Sequence, residues 1–184
     1  LMQPEGDRNF KGIEKGIAQR CSDSPVPVIV KETGAGISGE VAQRLLKAGA
    51  AVIDIAGAGG TSWAKVENER PSNPNPDHDF DDWGLPTLTC LQQVQQLRTD
   101  YSFELIASGG IRSSAHIAKS LCLGANFTAA AQPVIKAVVN DGREGLQQLY
   151  DHWQQQLITI LTLLGCEQPS ELHSDHLKIR SSVG

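Results

Sequence analysis

Glu104-Leu105-Ile106-Ala107-Ser108-Gly109-Gly110-Ile111-Arg112-Ser113 is the stretch on which the reading of this chain turns. A short apolar run stopped by a Gly-Gly pair reads as a strand entering a tight loop. Ser113 then stands where a helix N-cap belongs, ahead of a helical pattern over 113–123 that Gly124 closes. The same unit recurs on both sides. Upstream, Val26–Lys31 leads into Gly34, Gly36 and the candidate N-cap Ser38, then a helix expected to turn Val41, Leu45 and Ala48 inward as far as Gly49. Ala51–Ala56 is another run, ending in Gly57-Ala58-Gly59-Gly60-Thr61, and Thr87–Arg98 reads as a helix. Downstream, Asn126–Ala130 is the fourth strand, and Pro133 suits the first turn of a following helix.

Between these units, residues 65–83 carry three prolines and the acids Asp77, Asp79, Asp81 and Asp82, the composition of a flexible loop. Over Gly145–Leu164, Leu146, Leu149, Tyr150, Trp153, Leu157, Ile160, Leu161 and Leu164 recur at helical spacing, which reads as core packing. Residues 168–184 lack periodicity and read as a tail, surface-bound or frayed.

Strands alternating with helices imply βαβ units and a parallel sheet. The near-continuous apolar strands suggest a sheet covered on both faces. Four units are half of a (β/α)8 barrel, which needs about 250 residues. A doubly wound open sheet explains the alternation equally well. Residues 1–184 form one domain on either reading, and Leu1 in place of an initiator Met suggests a portion of a longer protein.

Composition narrows the function. Of 184 residues, 40% are hydrophobic and 20% charged, the balance of a globular domain. A net charge of −5 gives no broad basic field for nucleic acid or anionic lipid, so a phosphate would need a local site. No apolar run approaches the ~20 residues that span a bilayer. Four dispersed cysteines without a CxxC pair read as free thiols of a reducing, cytoplasmic setting. The five histidines show no metal-ligand spacing.

In parallel α/β folds ligands sit at the C-terminal ends of strands. Those ends carry Lys31, Gly57–Thr61, Ser108–Arg112 and Ala131-Gln132. Gly109 and Gly110 would let backbone approach an anion, Arg112 adds charge, and the helix entered at Pro133 offers free N–H groups. The competing reading of the glycines is a tight turn only. Lys31 is either a ligand contact or the partner of Glu32 or Asp54, and Trp63 either packs or lines a cavity.

Gln3-Pro4-Glu5-Gly6-Asp7-Arg8, Pro27-Val28-Ile29-Val30-Lys31-Glu32, Asp54 to Trp63, Trp83-Gly84-Leu85-Pro86-Thr87 and Ser108 to Ser113 together resemble the type 2 isopentenyl-diphosphate isomerases, over Leu1 to about Leu164. The resemblance implies the C-terminal four βα units of an FMN-binding (β/α)8 TIM barrel. It implies interconversion of isopentenyl and dimethylallyl diphosphate on reduced FMN, with Mg2+, NADPH as reductant, and a homo-oligomer. By position it implies Lys31 at the flavin ring and Thr61 on FMN. It also implies Gly109, Gly110, Ile111 and Arg112, with the Ala131–Gln132 backbone, on the FMN phosphate. Ala56 stands where the family often has Ser, and Gln132 where Gly is common. The family's catalytic Gln and Mg2+-binding Glu fall upstream of Leu1, so no catalytic or metal residue is assigned here. The alternatives are an FMN barrel oxidoreductase of the 2-hydroxy-acid oxidase type, which should carry a strand-end His, and a non-enzymatic half-barrel that binds phosphate.

Overall fold

Four strands, β1 (Ile29–Lys31), β2 (Val52–Asp54), β3 (Glu104–Ala107) and β4 (Phe127–Thr128), pair in parallel in the order of the chain. The computed structural model describes residues 9–71, 73 and 76–178. A doubly wound sheet reverses its strand order beside the first strand, whereas strands laid down 1-2-3-4 are barrel staves. Sequential pairing therefore decides between the two architectures that periodicity left open: these are four consecutive βα units of a (β/α)8 barrel.

Register places alternate side chains on opposite faces. Val30, Ile53 and Leu105 share one row, with Ile55 and Ala107 beyond it. Helices α2 (Gly39–Lys47) and α4 (Thr87–Gln95) cover this face, burying Ile53, Ile55 and Leu105 completely against Ala42, Leu45, Leu46, Cys90, Leu91 and Val94. Burying each large aliphatic contributes about 1.5–3 kcal/mol. The other face carries Ile29, Val52 and Glu104 in one row, and Lys31, Asp54, Ile106 and Phe127 in the next. Ile29 and Phe127 are more than half exposed. Among the described residues this face is open, which corrects the expectation of a sheet covered on both sides. A barrel sheet turns one face to its helices and the other to the lumen.

The helices follow their caps. The Ser38 Oγ accepts from the Val41 N–H at 3.2 Å, and Gly49, at φ 98°, donates back to Leu46. The inward stripe of α2 is Ala42, Leu45 and Leu46: of the expected Val41, Leu45 and Ala48, Leu45 is buried and Ala48 half-buried, while Ala42 takes the place of Val41. Val41 is exposed because it points about 100° away from Ala42. Helix α5 (Ser114–Cys122) is capped by Ser113 and ended by Gly124. Helix α1 (Ile13–Asp23) buries no residue fully; Ile17 touches the core and Glu14 pairs with Arg44 on α2.

Helix α6 (Gln132–Leu164) is two helices joined at Asp141 and Gly142, whose backbone angles are non-helical. Its apolar stripe is only partly core. Leu161 is buried, Leu149, Trp153, Leu157 and Ile160 are half-buried, and Leu146, Tyr150 and Leu164 are exposed. The strip that α5 and the turn at Leu172 cover is narrower than the periodicity provides. Leu172 itself packs on Ala118, Cys122 and Leu161, so the expected tail from 168 is docked, not frayed, there. Residues 179–184 lie outside the described residues. All four cysteines are free, and burial pushes the Cys90 and Cys122 thiols up. Among the described residues no helix is long and apolar enough to cross a membrane.

Candidate functional site

The C-terminal ends of all four strands converge on one pocket of about 290 Å3. Lys31, Thr61, Gly109, Gly110, Ile111, Arg112, Ala131 and Gln132 all line it. Pro133, read as the entry of an N–H-presenting helix, lines it too, as do Thr33, Gly34, Ala129 and Ala130, which were not named as site candidates.

At the β1 end, the two carboxylates named as partners of Lys31 do different work. Glu32 turns its Oε2 onto the N–H groups of Gly34 and Ala35, both at 2.5 Å, and of Gly36 at 3.3 Å. Only its backbone carbonyl receives the Lys31 ammonium, at 2.9 Å. Asp54, the register partner of Lys31, is buried and places Oδ2 3.6 Å from Nζ. Its Oδ1 accepts from Ser108 Oγ at 2.5 Å and from the Ala56 N–H at 3.3 Å. That second bond braces Ala56 in the left-handed region, at φ 35°, where an alanine is strained.

The two Gly-rich loops interlock. Gly109 and Gly110 hold positive φ, and a Cβ on either would collide with the carbonyl oxygens of Gly57 and Gly59. The glycines are thus required by loop-on-loop contact as well as by the turn. The outcome still suits an anion. The N–H groups of Gly109, Gly110 and Ile111 donate to no protein acceptor among the described residues. His116, on α5, braces this loop: its Nδ1 lies 3.2 Å from the Gly110 carbonyl and 3.3 Å from the Arg112 nitrogen, one contact or the other operating in each tautomer. Sequence reading missed that role, although a position four residues after Arg112 on a first turn was a signal. Arg112 Nε donates to Gln132 Oε1 at 3.4 Å, and the exposed arginine lines the pocket.

Helix termini supply the remaining field. Ser38, Ser62 and Ser113 cap α2, α3 (Trp63–Asn68) and α5 with their own hydroxyls. The N-cap of α6, Ala131, has no side-chain cap, and Ala131, Gln132 and Pro133 face the pocket. An uncapped terminus keeps its N–H groups and positive dipole end for a ligand. Helices α1 and α4 also lack caps, but Gly12 and Pro86 do not line the pocket.

Thr61 lies exposed at the rim, and Trp63 lines the cavity instead of packing in the core. Trp63 also borders a groove of about 510 Å3 with Thr33, Gly34, Ala35, Phe80 and Trp83. The 65–83 stretch, expected as loop, contains the end of α3 and a 3-10 turn over His78–Phe80. Buried Asn68 ties it together through Asp77 and Asp81. His78 Nδ1, 2.9 Å from Asp81, holds that carboxyl below its ordinary range. Among the described residues no group of three His, Cys, Asp or Glu gathers where it could hold a metal.

Residues 12–179 match the FMN-dependent dehydrogenase family. The chain is 43% identical to the isopentenyl-diphosphate delta-isomerase of Chlorobium limicola over 98% of its own length and 52% of that protein's. It is 42% identical to the protein of the same name from a Nostoc species, over 96% and 51%. The chain thus spans about half the length of these curated relatives. Among solved structures, an active chimera of (S)-mandelate dehydrogenase superposes with a TM-score of 0.73 at 18% identity, covering 98% of this chain and 44% of that one. A mandelate oxidase variant gives 0.65 at 21% identity, over 88% and 42%.

Proposed function

The chain belongs to the FMN-dependent dehydrogenase family, and from that premise we propose that it forms the flavin-phosphate side of an enzyme interconverting isopentenyl and dimethylallyl diphosphate. One observation carries the reading: eight residues drawn from four separate strand ends line a single pocket with an uncapped helix terminus at one side and a lysine at the other. FMN fits this polarity. Its phosphate would meet the N–H groups of Gly109 to Ile111, the α6 terminus and Arg112. Its ring would lie toward Lys31, whose ammonium stabilises negative charge at the N1–C2 carbonyl edge. Thr61 would hydrogen-bond the cofactor at the rim, and Trp63 would keep water from that side. When bound and reduced, FMN supplies an electron-rich ring beside which a double bond can shift without net redox change.

The relatives favour isomerisation over oxidation of a 2-hydroxy acid. Those named isomerases are 42–43% identical, whereas the mandelate-oxidising structures are 18–21% identical. No histidine lines the pocket among the described residues, and an oxidase of that type would place one at a strand end as its base. NADPH as reductant, Mg2+, a homo-oligomer and a cytoplasmic setting belong to the same reading. The described residues gather no cation site, so no step is assigned to Mg2+. The motif carrying Gln3 and Glu5 lies outside the described residues.

The test uses the protein over its whole reading frame, reconstituted with FMN, Mg2+ and NADPH. Flavin absorbance and conversion of isopentenyl to dimethylallyl diphosphate are expected, with severe loss in Lys31→Ala. A colourless protein after reconstitution, or oxidation of 2-hydroxy acids instead, would overturn the reading.

A further inference from the structure

Asp54 is a carboxylate with 5% of its surface exposed, yet it stands on the open face of the sheet in a row with Lys31, Ile106 and Phe127. A buried charge is costly unless it is both paired and hydrogen-bonded. Its two oxygens divide the work. Oδ1 takes Ser108 Oγ and the Ala56 N–H, which settles the turn after β2. Oδ2 is left facing the Lys31 ammonium at 3.6 Å. Glu32 cannot serve in its place, because its carboxylate is committed to the Gly34–Gly36 backbone.

We infer that Asp54, itself fixed by Ser108, is a positioning residue that aims the Lys31 ammonium into the pocket. The Lys31 side chain is 56% exposed, and among the described residues it is anchored, apart from Asp54, only by the carbonyl of the residue next to it. Register sets the geometry: Lys31 and Asp54 are Cα partners on neighbouring strands, and Ser108 lies two residues beyond Ile106, one pleat further along the same face. The three side chains form a file from β1 to β3. A turn-forming role alone explains Oδ1 but leaves Oδ2, and its orientation toward a cation on the neighbouring strand, without a reason. As far as the pocket's ligand is concerned, this rests on the reading of FMN above.

Asp54→Asn is the informative change, since an amide oxygen can still accept from Ser108 and Ala56 while the charge is gone. Two measurements on the protein over its whole reading frame decide. In the first, without ligand, acetic anhydride labels lysines and peptide mass spectrometry gives the rate at each. Asp54→Asn should raise the rate at Lys31 by about threefold, the size of one partly exposed ion pair, with Lys47 and Lys65 as unchanged controls. In the second, FMN is titrated in a double-mutant cycle. Asp54→Asn should weaken binding about tenfold with Lys31 present and not at all in a Lys31→Ala background. Ser108→Ala should move both readouts the same way by less, and it supplies the test if Asp54→Asn does not fold. An unchanged labelling rate, or the same loss of affinity in both backgrounds, overturns the inference. If the unsubstituted protein binds no FMN, the functional reading falls while the labelling still decides the role of Asp54.

Discussion

The two faces of the four-stranded sheet are built from alternate residues of the same strands and have opposite characters. Val30, Ile53, Leu105, Ile55 and Ala107 meet helices and hold no charge. Ile29, Val52, Glu104, Lys31, Asp54, Ile106 and Phe127 mix apolar and charged groups, and all but the buried Asp54 remain at least partly open among the described residues. Stability is concentrated on the first face, and the pocket opens at the strand ends. A substitution therefore does two different things depending on its parity along a strand.

The largest effect should come from leaving the open face without a cover. Residues 1–184 produced alone should associate or aggregate and show no isomerase turnover, because among the described residues the outer edges of β1 and β4 are unpaired and Ile29 and Phe127 stand exposed on the open face. Sedimentation showing a lone monomer, or turnover without added sequence, would break the contrast between the faces. On the covered face, Ile53→Ala should cost about 2–5 kcal/mol of stability by denaturant melt. The folded fraction should keep its FMN affinity. A comparable loss from Ile29→Ala would erase the distinction.

At the strand ends the balance inverts. Arg112→Ala should weaken FMN by about 1.5–3 kcal/mol, roughly ten- to a hundredfold. Riboflavin, which lacks the phosphate, should bind almost as before, and the melting temperature should hold. Equal losses for both ligands would make Arg112 a structural residue. The smallest effect belongs to neither face. His78 depresses the Asp81 carboxyl, so its contribution is complete above the ordinary value of 3.8 and disappears as pH falls through the lower folded value. Carboxyl resonances followed by NMR should show Asp81 titrating below 3.8, and His78→Ala should bring it back up. An unshifted Asp81 would remove the pair.

Much of the covered face was legible because its signals are local. Strand β3 falls on Glu104–Ala107 as read, and Ser38, Ser113, Gly49 and Gly124 punctuate helices within one turn of their neighbours. In α2 Leu45 is buried as expected, but Ala42 replaces Val41 because both are apolar and only packing chooses between them. Helix α1 carried no readable start, since Gly12 caps nothing and no side chain on it is buried. The width of the α6 stripe misled because periodicity reports amphipathicity, not what is available to cover it. In the pocket, the loop residues announced themselves through glycine and strand-end position. The Asp54–Ser108 contact did not: it joins residues 54 apart, and only register brings them together. Which carboxylate would face Lys31 depended in the same way on the Glu32 side chain turning back onto its own loop.

The interlocked glycines also set a timetable. Gly57 and Gly59 leave the ribosome well ahead of Gly109 and Gly110; Gly57 can meet Thr87 first, but the loop-on-loop contact waits until that second loop emerges. Joining the two shuts a stretch of roughly fifty residues, an entropic cost met only when β3 docks on β2. The pocket is consequently completed only after β3 and β4 have been made. Nascent chains halted before Ser108 would expose a half-made site, and any ligand must wait for the β3 and β4 units to arrive.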